Sequence, residues 1–111
     1  MTFKKNAMIE LNIKERVILP EILPQQGNKL QQIIVRSLLS KVEFTPEEIK
    51  TYEMVFTSKG ISWNEKATSE KFSVELSEPE VSVLKEAAAA LDKEARVTQH
   101  NLSLVEKIES L

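Results

Sequence analysis

The sequence predicts a single α+β domain over residues 1–111: a small antiparallel sheet packed against about four helices, with a helical hairpin at the C-terminus. Three observations carry this. Hydroxyl residues bracketed by hydrophobes mark helix starts, alternating apolar residues mark strands in the middle of the chain, and the C-terminal third spaces its apolar residues by three and four.

At FTPEEI (44–49), LSEPEV (76–81) and VTQHNL (97–102), a hydrophobe precedes Ser or Thr and another follows four positions after the hydroxyl residue. The hydroxyl can accept from an orphan N–H of the first turn while the flanking pair clamps across it: Phe44 on Ile49, Leu76 on Val81, Val97 on Leu102. Glu48 and Glu80 complete capping boxes at the first two, and Pro46 and Pro79 sit in the first turn, where a missing N–H costs little. The third start lacks the glutamate. From Glu78, residues Val81, Leu84, Ala88, Leu91 and Ala95 draw one apolar stripe, and four consecutive alanines, Ala87 to Ala90, add helix propensity. Leu102, Val105 and Ile108 draw a second. The stripes nearly keep register, which leaves one unbroken helix from Glu78 to Ser110 open. The clamp at Val97 and Leu102 favours two helices with a tight turn near Arg96 to Thr98.

Met54 alternates with Phe56, Ile61 with Trp63, and Phe72 with Val74 and Leu76, which predicts a hairpin over 53–64 and a strand over 71–76. Gly60 stands where a three-residue hairpin loop requires positive φ. The polar run NEKATSE (64–70) reads as a loop. Upstream, MIELNI (8–13) alternates weakly, as a strand available to pair with the hairpin. Asn12 and Glu15 have capping-box spacing for a short helix through Leu19, and Asn28 caps a helix through Lys41 whose Leu30, Ile33, Ile34, Leu38 and Val42 face inward. Between these helices lies RVILPEILPQQG (16–27). A proline removes a hydrogen bond and clashes with the carbonyl four residues back, so Pro20 and Pro24 are expected to end or restart short turns, making an elbow around Leu19, Ile22 and Leu23. Those aliphatics either pack under the next helix or leave Ile22 and Leu23 to seat in a partner's groove.

Composition narrows the function. An apolar fraction of 41% with 29% charged residues, 2 glycines and 4 prolines excludes disordered and collagen-like classes. Net charge is -2 and the 15 basic residues are scattered, with Lys4 and Lys5 an adjacent pair, so phosphate-backbone binding is not expected. Without cysteine there is no disulfide, thiolate metal site or cysteine nucleophile. No apolar run reaches the roughly 18 residues of a membrane span and Met1 opens no signal-like segment, so a cytoplasmic protein is expected. His100 has no second histidine four positions away, Glu47 and Glu48 are explained by the helix dipole, and DKEAR (92–96) by a solvated face. G-x-G-x-x-G, G-x-S-x-G and H-E-x-x-H are all missing from the sequence. No catalytic, cofactor or metal residue is therefore assigned.

The combination of IKERVILPEILPQQG near the N-terminus, KVEFTPEEI at a helix end, ISWN in a strand and a helical C-terminal segment resembles a group of small bacteriophage and prophage proteins. The likeness spans most of the chain, rests on structural punctuation and implies a phage or prophage setting; it carries over no activity and no functional residue. The residues themselves point to a non-enzymatic interaction module. Its candidate contacts are Leu19, Ile22, Leu23, Trp63, Val81, Leu84, Ala88 and Leu91, and its partner is an unidentified protein or a second copy of the chain. Small alanines beside Val81, Leu84, Ala88 and Leu91 let two helices approach closely, unless that stripe closes against residues 102–108 within the chain. Trp63 is an anchor if exposed and the buried face of the hairpin if not. Two other classes stay open. One is a nucleic-acid-binding regulator using Lys85, Lys93 and Arg96, opposed by the interleaved Glu86, Asp92 and Glu94; the other is an enzyme whose site has no sequence pattern.

Overall fold

In the computed structural model, which describes residues 7–111, the element order is β1 (Ala7–Leu11), α1 (Ile13–Ile22), α2 (Lys29–Val42), α3 (Pro46–Thr51), β2 (Val55–Thr57), β3 (Gly60–Ser62), α4 (Glu65–Thr68), β4 (Phe72–Leu76), α5 (Glu78–Lys93) and α6 (Leu102–Glu109). The α+β class follows directly. Lys4 and Lys5 lie outside the described residues.

Three helices start in reciprocal capping boxes. The side chains of Asn12, Thr45 and Ser77 accept from the N–H groups of Glu15, Glu48 and Glu80 at 2.8, 3.1 and 3.4 Å. The three carboxylates accept in return from the N–H groups of Asn12, Thr45 and Ser77 at 2.9, 3.0 and 2.8 Å. Each carboxylate also holds a distant cation: Lys107 on Glu15, Arg16 on Glu48 and Lys41 on Glu80, all at 2.6 Å. The cations have further work. Lys107 donates to the Glu10 carbonyl and Lys41 to the Glu75 carbonyl, both at 2.8 Å. Arg16 donates from Nε to the Val42 carbonyl at 2.9 Å and from Nη2 to the Glu43 carbonyl at 2.7 Å, which satisfies carbonyls orphaned at the end of α2. The rings of Phe44 and Phe72 lie 4.0 and 4.6 Å from its guanidinium carbon.

The strands form two separate ladders, where one sheet is predicted. β1 pairs antiparallel with β4, from Ala7 opposite Leu76 to Leu11 opposite Phe72, while among the described residues β2 pairs only with β3. Alternation sends Ile9, Leu11, Val74 and Leu76 into the main core with Leu38, Leu84, Leu104 and Ile108. Met8 on the other face stays exposed. The hairpin closes on a two-residue loop, Ser58 and Lys59, one shorter than predicted, and Gly60 takes φ 141°.

Three further details depart from expectation. Helix α1 continues past Pro20 to Ile22, because a proline this near the end removes one hydrogen bond and few turns remain to be strained; Leu23 is extended at ψ 146°, as the residue before Pro24 requires. The run 64–70 contains α4, capped by Asn64, with Ala67 fully buried against Ile13 and Met54. Helix α2 buries Val35, Leu38 and Val42 and leaves Leu30 and Ile33 exposed, so its inward face is rotated from the expected one. Two helices, not one, occupy 78–110. Helix α5 ends with Arg96 N–H on the Leu91 carbonyl at 2.8 Å and Ala95 N–H on the Asp92 carbonyl at 3.1 Å, a Schellman motif with alanine at φ 56°. The next start uses Asn101 in the role of the missing glutamate: its Oδ1 accepts from Thr98 N–H at 2.9 Å, and Thr98 Oγ1 accepts from Asn101 N–H at 3.3 Å.

Two outcomes are expected from this architecture. Ala95→Gly relieves a left-handed conformation at the end of α5 and stabilises the protein by about 1 kcal/mol, opposite in sign to Ala→Gly inside a helix; urea denaturation measures it. Arg16→Lys loses the forked donor geometry that serves Glu48 and two carbonyls together, and destabilises by about 3 kcal/mol. An equal stability for the lysine variant would show that charge alone suffices.

Candidate functional site

The predicted contact residues divide by burial. Leu19, Leu23, Leu84, Ala88 and Leu91 belong to the main core, so their apolar surface is already engaged within the chain. Ile22 and Val81 are half-buried against that core, and Trp63 is half-buried against the second cluster of Ile13, Met54 and Ala67. The Val81, Leu84, Ala88, Leu91 stripe thus closes on α6, α1 and α2 inside one chain.

Part of the elbow and part of α5 nevertheless meet at a surface. Ile22, Leu23 and Pro24 form one wall of a cavity of about 360 Å³, and Val83, Ala87, Ala90 and Leu91 of α5 form its floor. Gln31, Val83 and Glu86 also line a second depression of about 300 Å³ that runs between Leu30 and Ile34 of α2 and Pro79 and Ser82 of α5. The two adjoin as one trough along α5, lined by aliphatic and polar side chains together. Its origin is local. Lys41 pins the end of α2 to the start of α5 through Glu80, and farther along α5 Ala87 and Ala90 contribute only methyl groups to the cavity lining. From Val83 to Glu94 the trough follows α5 for about three turns.

The edge of the trough is acidic. Glu21, Glu86 and Glu94 line it against one cation, Arg96, which lies 3.6 Å from Glu94. Glu86 has no ion pair among the described residues, and Glu21 lies 4.0 Å from the exposed His100. Lys85 and Lys93 are exposed and separated by Glu86 and Asp92, so α5 presents no continuous basic face.

Leu30, Ile33, Gln31, Ala87 and Ala90 lie outside the predicted contacts. For Leu30 and Ile33 the sequence holds one signal. Helix α2 carries seven large aliphatics in fourteen residues, more than one core-facing stripe can hold, so some have to face outward.

No family model, curated protein or solved structure matches this chain. Among the described residues, no three acidic or histidine side chains converge to hold a metal ion, and no helix is long and apolar enough to cross a membrane.

The titratable groups with displaced pKa values are structural anchors. Glu15, Glu48 and Glu80 all lie below the usual 4.5. For Glu15 and Glu80 burial is the largest influence and pushes upward, but hydrogen bonds from Lys107, Asn12 and Ser103 outweigh it in one, and from Lys41, Ser77 and Ser37 in the other. For Glu48 the Arg16 hydrogen bonds lead. Burial, then Glu70 and Glu48, push the Tyr52 hydroxyl up. One oxygen of Glu15, Oε2, is buried without a well-formed hydrogen bond, although the Ser103 hydroxyl acts on the same carboxylate.

Because these three carboxylates titrate lower in the folded chain, the unfolded chain binds more protons in acid. Their stabilisation is complete above 4.5 and is lost as pH falls through the folded values. Lys107→Met leaves Glu15 buried without its cation and costs about 3 kcal/mol at neutral pH. The penalty shrinks in acid, where Glu15 is neutral in both states. Urea midpoints of both proteins across pH measure this, and a pH-independent difference would remove the pair from the account.

Proposed function

We propose that this protein is a non-enzymatic protein–protein interaction module that receives a partner in the trough along α5. The observation that carries the reading is the trough itself: an apolar floor of about two turns, Val83 to Leu91, bordered by Glu21, Glu86 and Glu94. Clustered acids at its edge repel a phosphate backbone, which supports a protein partner over a nucleic acid. The carboxylates with displaced pKa values are all occupied by caps and cations, which supports a binding role over acid–base chemistry. A cytoplasmic location and a phage or prophage setting, expected from the sequence, belong to the same proposal.

The test needs no known partner. Peptides selected from a random displayed library on the wild-type chain are expected to lose at least about tenfold in affinity, or about 1.4 kcal/mol, on Ala90→Trp. Ala90 is exposed, so the indole fills the trough without entering the core. Selected peptides that bind both proteins equally, or a selection that enriches none, would remove the trough as a binding site.

A further inference from the structure

We infer that the trough receives the exposed face of α2 from a second copy of this chain, forming a two-fold dimer. This rests on the trough being a protein-binding site and names its occupant.

Helix α2 is apolar on two sides. Val35, Leu38 and Val42 are buried in its own core, while Leu30 and Ile33, one turn apart, are 67% and 42% exposed. No acidic residue occurs in α2, and the exposed Lys29 and Arg36, four before and three after Ile33, make no ion pair among the described residues. An outward face of aliphatics and cations therefore stands ready on one element. The trough offers the complement: an apolar floor, and an edge on which three carboxylates outnumber one arginine already close to Glu94.

The shape of the occupant follows from the walls. They are helices and a turn, with no strand edge to extend, so an added strand would find no backbone partners. A helix satisfies its own backbone, and Ala87 and Ala90 let it come close. Position supplies the symmetry. Leu30 and Gln31 of α2 border the trough, so the donor face and the receiving groove adjoin on one side of the molecule. Two copies related by a two-fold axis can each place α2 on the other's α5, and the assembly closes at two.

Light scattering coupled to size-exclusion chromatography, from about 1 μM to about 1 mM chain, is expected to show the mass rising from 12.6 kDa to twice that value. Ile33→Asp and Ala90→Trp, both at exposed positions, are expected to raise the midpoint concentration at least about tenfold. Lys59→Glu on the β2–β3 hairpin leaves it unchanged. The pair Lys29→Glu with Arg36→Glu weakens the dimer, and adding Glu86→Lys with Glu94→Lys to the same chain restores it, a rescue that loss of folding does not produce. A mass of 12.6 kDa at every concentration overturns the inference, as does a dimer indifferent to Ile33→Asp and Ala90→Trp, or one whose strength ignores every charge change. A monomer whose trough still binds library peptides in an Ala90→Trp-sensitive way leaves the binding site standing with a different protein as its partner. A monomer that binds no peptide removes both.

Discussion

The fold depends on a carboxylate placed at the third position of a helix. Glu15, Glu48 and Glu80 each close a capping box with one part of their acceptor capacity and hold a cation from elsewhere with the rest. A local device becomes a tether. Lys107 joins the end of α6 to the start of α1, Arg16 joins α1 to α3 and the end of α2, and Lys41 joins α2 to the start of α5, which leads back to α6 through the Schellman turn. Burying such pairs is expensive, so their net stabilisation over apolar contacts is small. Their consequence is geometric, because each cation also serves a backbone carbonyl and only one docking of the elements satisfies both partners.

The trough is a product of those tethers. Lys41 fixes one end of the α2 and α5 pair, and toward the other Ala87 and Ala90 line the groove with methyl groups. The core is complete without filling that space, since Leu38, Leu84 and Leu104 are fully buried. The elbow at Ile22 to Pro24 then supplies a wall, held in place by Gln32 Nε2 donating to the Pro24 carbonyl at 3.2 Å. Packing and groove come from the same residues, with Leu23 facing inward and Ile22 at the rim of the groove.

What was legible in the sequence was local. The starts at Asn12, Asn28, Thr45 and Ser77 were readable because a cap and its acceptor lie within one turn. The cations were not, since Lys107 is 92 residues from Glu15 and no spacing rule connects them. Helix α4 escaped because its four residues are polar but for Ala67, too short to show a period. The rotation of α2 escaped for the opposite reason: aliphatics on several sides satisfy more than one helical stripe, and only docking against α5 chooses between them. Of the trough, the sequence marked the elbow and the alanine run separately; their meeting is tertiary.

The surface left over has a physical cost. Leu30 and Ile33 contribute little burial to the monomer, and an exposed aliphatic pair beside a groove favours association. The charges deepen the asymmetry. Cations gather on the outer face of α2 and carboxylates along the groove beside it, where an alternating arrangement would have screened both within one molecule. Exposed aliphatics, an unfilled groove and, among the described residues, the unpaired charges of Lys29, Arg36 and Glu86 therefore meet around α2 and α5, the pair on which the proposed association rests.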